Sequence, residues 1–162
     1  MIRWLFMMPL VAASIHIVEE FAIPGGFRSW YIAYVPEVAK ILTPLRLAEI
    51  NALLLAACLS FAVTGQHHGG TTTWLIVVSI LAWNAVFHIT GAVRTRRYSP
   101  GMVTGILLYL PLTCYGTYEL ILHRVATYPL FGLCFAIGTV YHLLAESELF
   151  FTWARRAAGR DL

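Results

Sequence analysis

His16, Glu19 and Glu20 stand close together in an otherwise apolar run from about Trp4 to Ile23. Other apolar runs carry polar groups in the same way: Glu49 with Asn51, Asn84 with His88, and His142 with Glu146. An ionisable group inside a bilayer costs at least about 2.5 kcal/mol, so each of these needs a partner or a purpose. At about 100° per residue, Glu19 and Glu20 flank His16 on one helix face. Residues four apart, such as Asn84 and His88 or His142 and Glu146, also share a face.

Imidazole and carboxylate one turn apart on a helix can bind the same ion, as the Glu-x-x-His pairs of di-iron bundles do. Mixed nitrogen and oxygen ligation suits Fe, Mn or Zn. The expected ligands of one or two such divalent ions are His16, Glu19, Glu20, His88 and His142. Glu49 and Glu146 follow as further ligands or as groups that orient them. Side by side, Glu19 and Glu20 repel each other, and a metal or a shared proton is the natural remedy. Asn84 and Tyr98 are expected to orient substrate or ligands. The catalytic set is then Glu19, Glu20, His88, Tyr98 and Asn84. Redox-active iron would bring oxidation or desaturation; zinc would bring an activated water and hydrolysis or rearrangement.

Three other readings compete. Without a metal, Glu19 or Glu20 as acid and His88 or His142 as base could isomerise or cyclise a terpenoid or sterol-like substrate. The same groups could conduct protons or metal ions. The plain alternative is a hydrogen-bond network that locks a bundle. Against conduction, the other half of the chain's apolar runs offers only Thr113, Thr117 and the tyrosines near them.

The elements that must position these groups are helices. Five apolar runs are each long enough to cross a hydrocarbon core of about 30 Å: 4–23, 45–63, 73–93, 101–122 and 130–153. They are continuous, where barrel strands would alternate. The expected fold is all-α, one integral membrane bundle over 1–162, with an interfacial connection at 24–44. The first run is read as retained, since it is long for a signal-peptide core. The connection mixes Phe27, Trp30, Tyr31 and Tyr34 with Glu37 and Lys40, which suits an interfacial lid, an entrance or an anchored linker.

Basic residues give the orientation. Arg28, Lys40, Arg46, Arg94, Arg96, Arg97, Arg155, Arg156 and Arg160 fall on one side of a five-helix chain, and only Arg3 and Arg124 on the other. The rule that positive loops stay inside puts the N-terminus outside and the C-terminus in the cytoplasm. At 1.5 Å per residue, the polar groups of the first, second, third and fifth runs then lie roughly 6–16 Å from the cytoplasmic helix ends. They form one slab in the cytoplasmic half of the membrane.

Composition agrees. Hydrophobic residues are 59% of the 162 and charged residues 12%. A soluble domain carries about 25% charge, so a soluble fold, a disordered chain and a nucleic-acid-binding module are excluded. Cys58, Cys114 and Cys134 lie in apolar runs without a C-x-x-C spacing and read as small hydrophobes. The partners expected are the cell membrane and a lipid or other hydrophobic small molecule. A homo-oligomer is compatible with the sequence.

Two segments carry a resemblance. His16-Ile17-Val18-Glu19-Glu20 is an HXXEE motif, and Tyr98-Ser99-Pro100-Gly101 is a YXPG motif. The chain resembles the bacterial HXXEE-domain membrane proteins, whose pattern is HXXEE, a further histidine and YXPG. His88 or His142 supplies the further histidine. The resemblance spans most of the chain and implies that His16, Glu19, Glu20 and Tyr98 act together; it implies no particular activity.

Overall fold

The computed structural model describes residues 2–22, 25–40, 42–67 and 69–157, with the side chains of 37 and 145–157 outside the description. Among the described residues there are six helices: α1 Arg3–Ala22, α2 Gly26–Tyr34, α3 Pro44–Thr64, α4 Gly70–Thr95, α5 Met102–Leu122 and α6 Tyr128–Ala157. No strand occurs among the described residues. α1, α3, α4 and α5 are long and apolar enough to cross a membrane, and α6 is apolar over Tyr128–Leu144. The five helices expected from the apolar runs are therefore present. α4 begins at Gly70, earlier than the expected 73.

Local chemistry sets the helix ends. The Thr43 hydroxyl accepts the Arg46 backbone N–H at 3.1 Å, with Pro44 opening α3. This is an N-cap followed by the residue whose missing N–H costs nothing there. Two prolines lie deeper. Pro9, inside α1, cannot bond the Leu5 carbonyl four residues back. In lipid that oxygen needs another donor, and the buried Trp74 indole N–H of α4 supplies it at 3.0 Å. Pro111 likewise cannot bond the Leu107 carbonyl four residues back. Immediately before it, Gly105–Tyr109 widens into a π turn, the form a helix adopts when its regular ladder is interrupted.

α4 is the central element. It packs against α1, α3, α5 and α6, and its buried side chains run from Trp74 through Val78 and Leu81 to His88. Small residues let neighbours approach. A Cβ on Gly116 would stand 2.6 Å from the Trp74 ring, and one on Gly138 would stand 2.7 Å from Ser79 Cβ. Such close approach is how helices associate where lipid offers no hydrophobic drive. The outward faces are apolar: Val18, Leu53, Val63 and Val93 are all exposed.

The described residues of the 24–44 connection form elements of their own. α2 and a 3-10 turn at Pro36–Lys40 bury Tyr31, Val38 and Leu42 with Leu47, and Phe27, Trp30 and Phe87 pack around them. Trp30 lies over Gly91 of α4, where a Cβ would sit 2.4 Å from its ring. Gly91→Ala must therefore push Trp30, and α2 with it, off α4. Overpacking of this kind costs about 1–3 kcal/mol. We expect a lower melting temperature and faster proteolytic cleavage near α2 in Gly91→Ala, with the detergent-solubilised fold otherwise retained.

Candidate metal centre

Three side chains from two helices converge at one end of the bundle. α1 presents His16 and, one turn on, Glu20; α4 presents His88 from its last third. All three are buried. Glu20 Oε1 lies 3.5 Å from His16 Nε2 and 3.4 Å from His88 Nε2. Among the described residues neither Nε2 has a hydrogen-bond partner. Both approaches are longer than an N–H···O bond, whose usual range ends at about 3.2 Å.

The spacing has another natural reading. Metal–nitrogen and metal–oxygen bonds of about 2.0–2.2 Å at a tetrahedral angle set two ligand atoms about 3.3–3.6 Å apart. One ligand atom from each of the three residues lies within 4.8 Å of the others, and this is the only such group among the described residues.

The opposite ring nitrogens are tied down. His16 Nδ1 is 2.8 Å from Thr104 Oγ1, and His88 Nδ1 is 2.9 Å from Ser99 Oγ. The Thr104 hydroxyl donates to the Gly101 carbonyl at 3.3 Å, so it accepts from His16 Nδ1–H. That assignment leaves the Nε2 lone pair of His16 facing Glu20. A ligating histidine is held by this kind of partner on its other nitrogen.

Gly101 closes the other side. Its φ of +102° is in the region that favours glycine. A Cβ there would stand 2.7 Å from His16 Cε1 and 2.8 Å from His88 Cε1. The YXPG segment thus has no room for a side chain at its last position and hands Ser99 to His88 from its second.

Glu19 turns away from the cluster. Its Oε1 accepts the Gly101 N–H at 2.9 Å and the Val103 N–H at 3.2 Å, and its Oε2 accepts the Thr104 N–H at 2.8 Å. The Tyr98 hydroxyl donates to Oε1 as well. These are the orphan donors of the first turn of α5, where a negative charge is also favoured by the helix dipole. Partial burial and the Glu19 carboxylate push the Tyr98 phenol above its ordinary range, so it stays a donor at any physiological pH. Of the two adjacent carboxylates expected as ligands of one or two ions, the structure brings Glu20 and not Glu19 to the two histidines. Their mutual repulsion is relieved by separation: Glu19 caps α5 and Glu20 enters the cluster.

The remaining expected residues stand elsewhere. Glu49 is exposed on α3 beside Arg46, 3.5 Å away, outside the cluster because that face of α3 points outward. His142 of α6 stacks on Trp83, ring centroids 5.8 Å apart, and is not a member of the cluster either. Asn84 lies one turn before His88, with a buried Oδ1 that has no hydrogen-bond partner among the described residues. The Glu146 side chain lies outside the described residues. Of the two histidines that could complete the motif pattern, His88 is the one beside His16 and Glu20.

Aromatic rings seal the site. Phe27 and Trp30 of α2 have centroids 5.2 and 6.4 Å from that of His88, and Tyr109, in the π turn, stands 4.5 Å from His16. The Tyr109 hydroxyl is buried without a partner among the described residues. Sequence reading missed Ser99, Thr104 and Tyr109. Ser99 sits inside the YXPG segment and Thr104 one turn after Gly101, which is the available signal for those two; Tyr109 has none.

A family model described as "Protein of unknown function with HXXEE motif" matches residues 4–116. That interval contains every member of the cluster and its hydroxyl partners. Comparison with curated proteins and with solved structures finds no match.

Proposed function

The chain belongs to the family of proteins of unknown function with an HXXEE motif, and from that premise we propose that the motif is one side of a metal centre in a membrane enzyme. His16, Glu20 and His88 hold one divalent ion, Fe, Mn or Zn, and the enzyme acts on a lipid or another hydrophobic small molecule. The observation that carries the reading is the pair of Nε2 atoms facing one carboxylate oxygen at ligand spacing, each ring fixed through Nδ1.

Two imidazoles and one carboxylate are the ligand set of catalytic sites, which keep positions open; closed structural sites use four protein ligands. When bound, the ion supplies Lewis acidity or, if it is iron, redox chemistry. The chain's own residues do the rest. Thr104 and Ser99 hold the two histidine rings in orientation. Phe27 and Trp30 keep water from His88. Tyr109 offers a buried hydroxyl beside His16. Glu19 fixes the segment that carries Ser99, Gly101 and Thr104.

The test is elemental analysis of protein purified in mild detergent, with add-back of Fe, Mn and Zn. The expected result is about one equivalent of a transition metal per chain. No metal bound under either condition would overturn the centre and leave Glu20, held between two histidines, as a proton-transfer group for isomerisation or cyclisation. The distribution of Arg and Lys in the sequence supports a centre in the cytoplasmic half. A cytoplasm-specific reporter fused to the C-terminus should be active; activity of a periplasmic reporter there would reverse the orientation.

A further inference from the structure

A cavity of about 410 Å³ opens where α1 ends, and Glu20 reaches into its wall. Phe21, Phe27 and Leu47 line it, and among the described residues Arg28 is the one basic residue on it. The Arg28 side chain is oriented by its Nε, which donates to the Leu42 carbonyl at 2.7 Å. Among the described residues no carboxylate lies within 4.0 Å of that guanidinium. The cavity therefore joins an apolar wall, one fixed cation and the only carboxylate of the cluster.

We propose that this cavity binds a single-chain amphiphile with an anionic head, a long-chain carboxylate, with Arg28 as counter-charge and Phe21, Phe27 and Leu47 against the chain. This deepens the proposed function and rests on it, because a ligand seated here abuts Glu20. A held divalent ion, Glu20 and Arg28 together give the cavity a positive balance, which selects an anion. A guanidinium already pinned through one nitrogen loses little freedom when its remaining N–H groups pair with a carboxylate. Phe21 is also exposed, as is Val18 on the preceding turn of α1, so a chain leaving the cavity past Phe21 meets the apolar outer face of the bundle.

The experiment is equilibrium binding of radiolabelled palmitate to the full chain in phosphatidylcholine nanodiscs, with empty discs as background and metal content measured on the same preparation. Saturable binding near one per chain is expected, competed by unlabelled palmitate and not by hexadecanol or acetate. Arg28→Gln should weaken it about 10- to 100-fold, the scale of one lost charged hydrogen-bonding partner, and Arg28→Lys should recover part of it. Metal content should be unchanged in both variants. Metal present with no saturable palmitate, or with equal competition by hexadecanol, overturns the ligand class and leaves the metal centre standing. Palmitate binding that needs Arg28, in protein that stays metal-free after add-back of Fe, Mn and Zn, supports the cavity and overturns the metal centre. Loss of both overturns both.

Discussion

Gly101→Ala is expected to destroy metal binding while leaving the bundle inserted. A side chain at this position meets two obstacles. The backbone has φ of +102°, and an L-residue in so sparsely populated a region carries about 1–3 kcal/mol of strain. The new Cβ would also lie under 3.0 Å from both imidazole rings, and overpacking adds about 1–3 kcal/mol. Relief requires that His16 and His88 move or that the 98–104 segment withdraw. Either motion breaks the ligand spacing, because a functional constellation tolerates displacements of only about 0.5 Å. Metal affinity should fall on the order of 100-fold or more, the upper end of what supporting-shell changes cost. Gly132→Ala is the control: a Cβ there meets nothing within 4 Å, and removing a helix-interior glycine is neutral or slightly stabilising. Metal titration and thermal denaturation of the two variants in detergent check this. Normal metal stoichiometry in Gly101→Ala would count against the glycine as a wall of the centre.

The helices were legible because lipid imposes a simple code. A run such as Gly70–Thr95 must be helical to satisfy its own backbone, and its length matches the bilayer. His16, Glu20 and His88 were legible because charge inside such a run is costly and therefore conspicuous. The division of labour between Glu19 and Glu20 was not. Helical geometry places both beside His16, within about 60° on either side. What separates them is a partner some eighty residues away, the unpaired N–H groups of α5, whose position depends on how α1 and α5 pack. The exclusion of Glu49 and His142 has the same origin. Depth along a helix can be counted from its ends, but the direction a residue faces is fixed by its neighbours, and α3 turns Glu49 outward. α2 hid for a different reason: a nine-residue helix with aromatic residues on several sides looks like an interfacial linker until Trp30 is seen over Gly91.

Glu20→Gln and Glu19→Gln are expected to fail in opposite ways, which makes the pair the sharpest check on this arrangement. Glu20→Gln preserves shape, and its amide N–H can donate to an imidazole lone pair, so the bundle should remain folded. The substitution removes the anionic ligand from a three-residue set, so bound metal should drop from about one equivalent to none. A wild-type centre should gain about 2.7 kcal/mol of stability at a free-ion concentration of 100 times Kd, seen as a rise in melting temperature on metal addition; Glu20→Gln should show no such rise. Glu19→Gln keeps all three ligands. It weakens the anion that accepts three backbone N–H groups and the Tyr98 hydroxyl, a loss of roughly 1–3 kcal/mol for charged acceptors at a helix N-terminus. The metal-free protein should therefore melt lower, while metal still binds with affinity reduced about 10- to 100-fold, as for a group that positions ligands without touching the ion. The two profiles cross: one variant keeps stability and loses the response to metal, the other loses stability and keeps the response. Complete loss of metal in Glu19→Gln with no change in the metal-free melting temperature would mean that Glu19 is itself a ligand, and that the cap on α5 gives way when the ion binds.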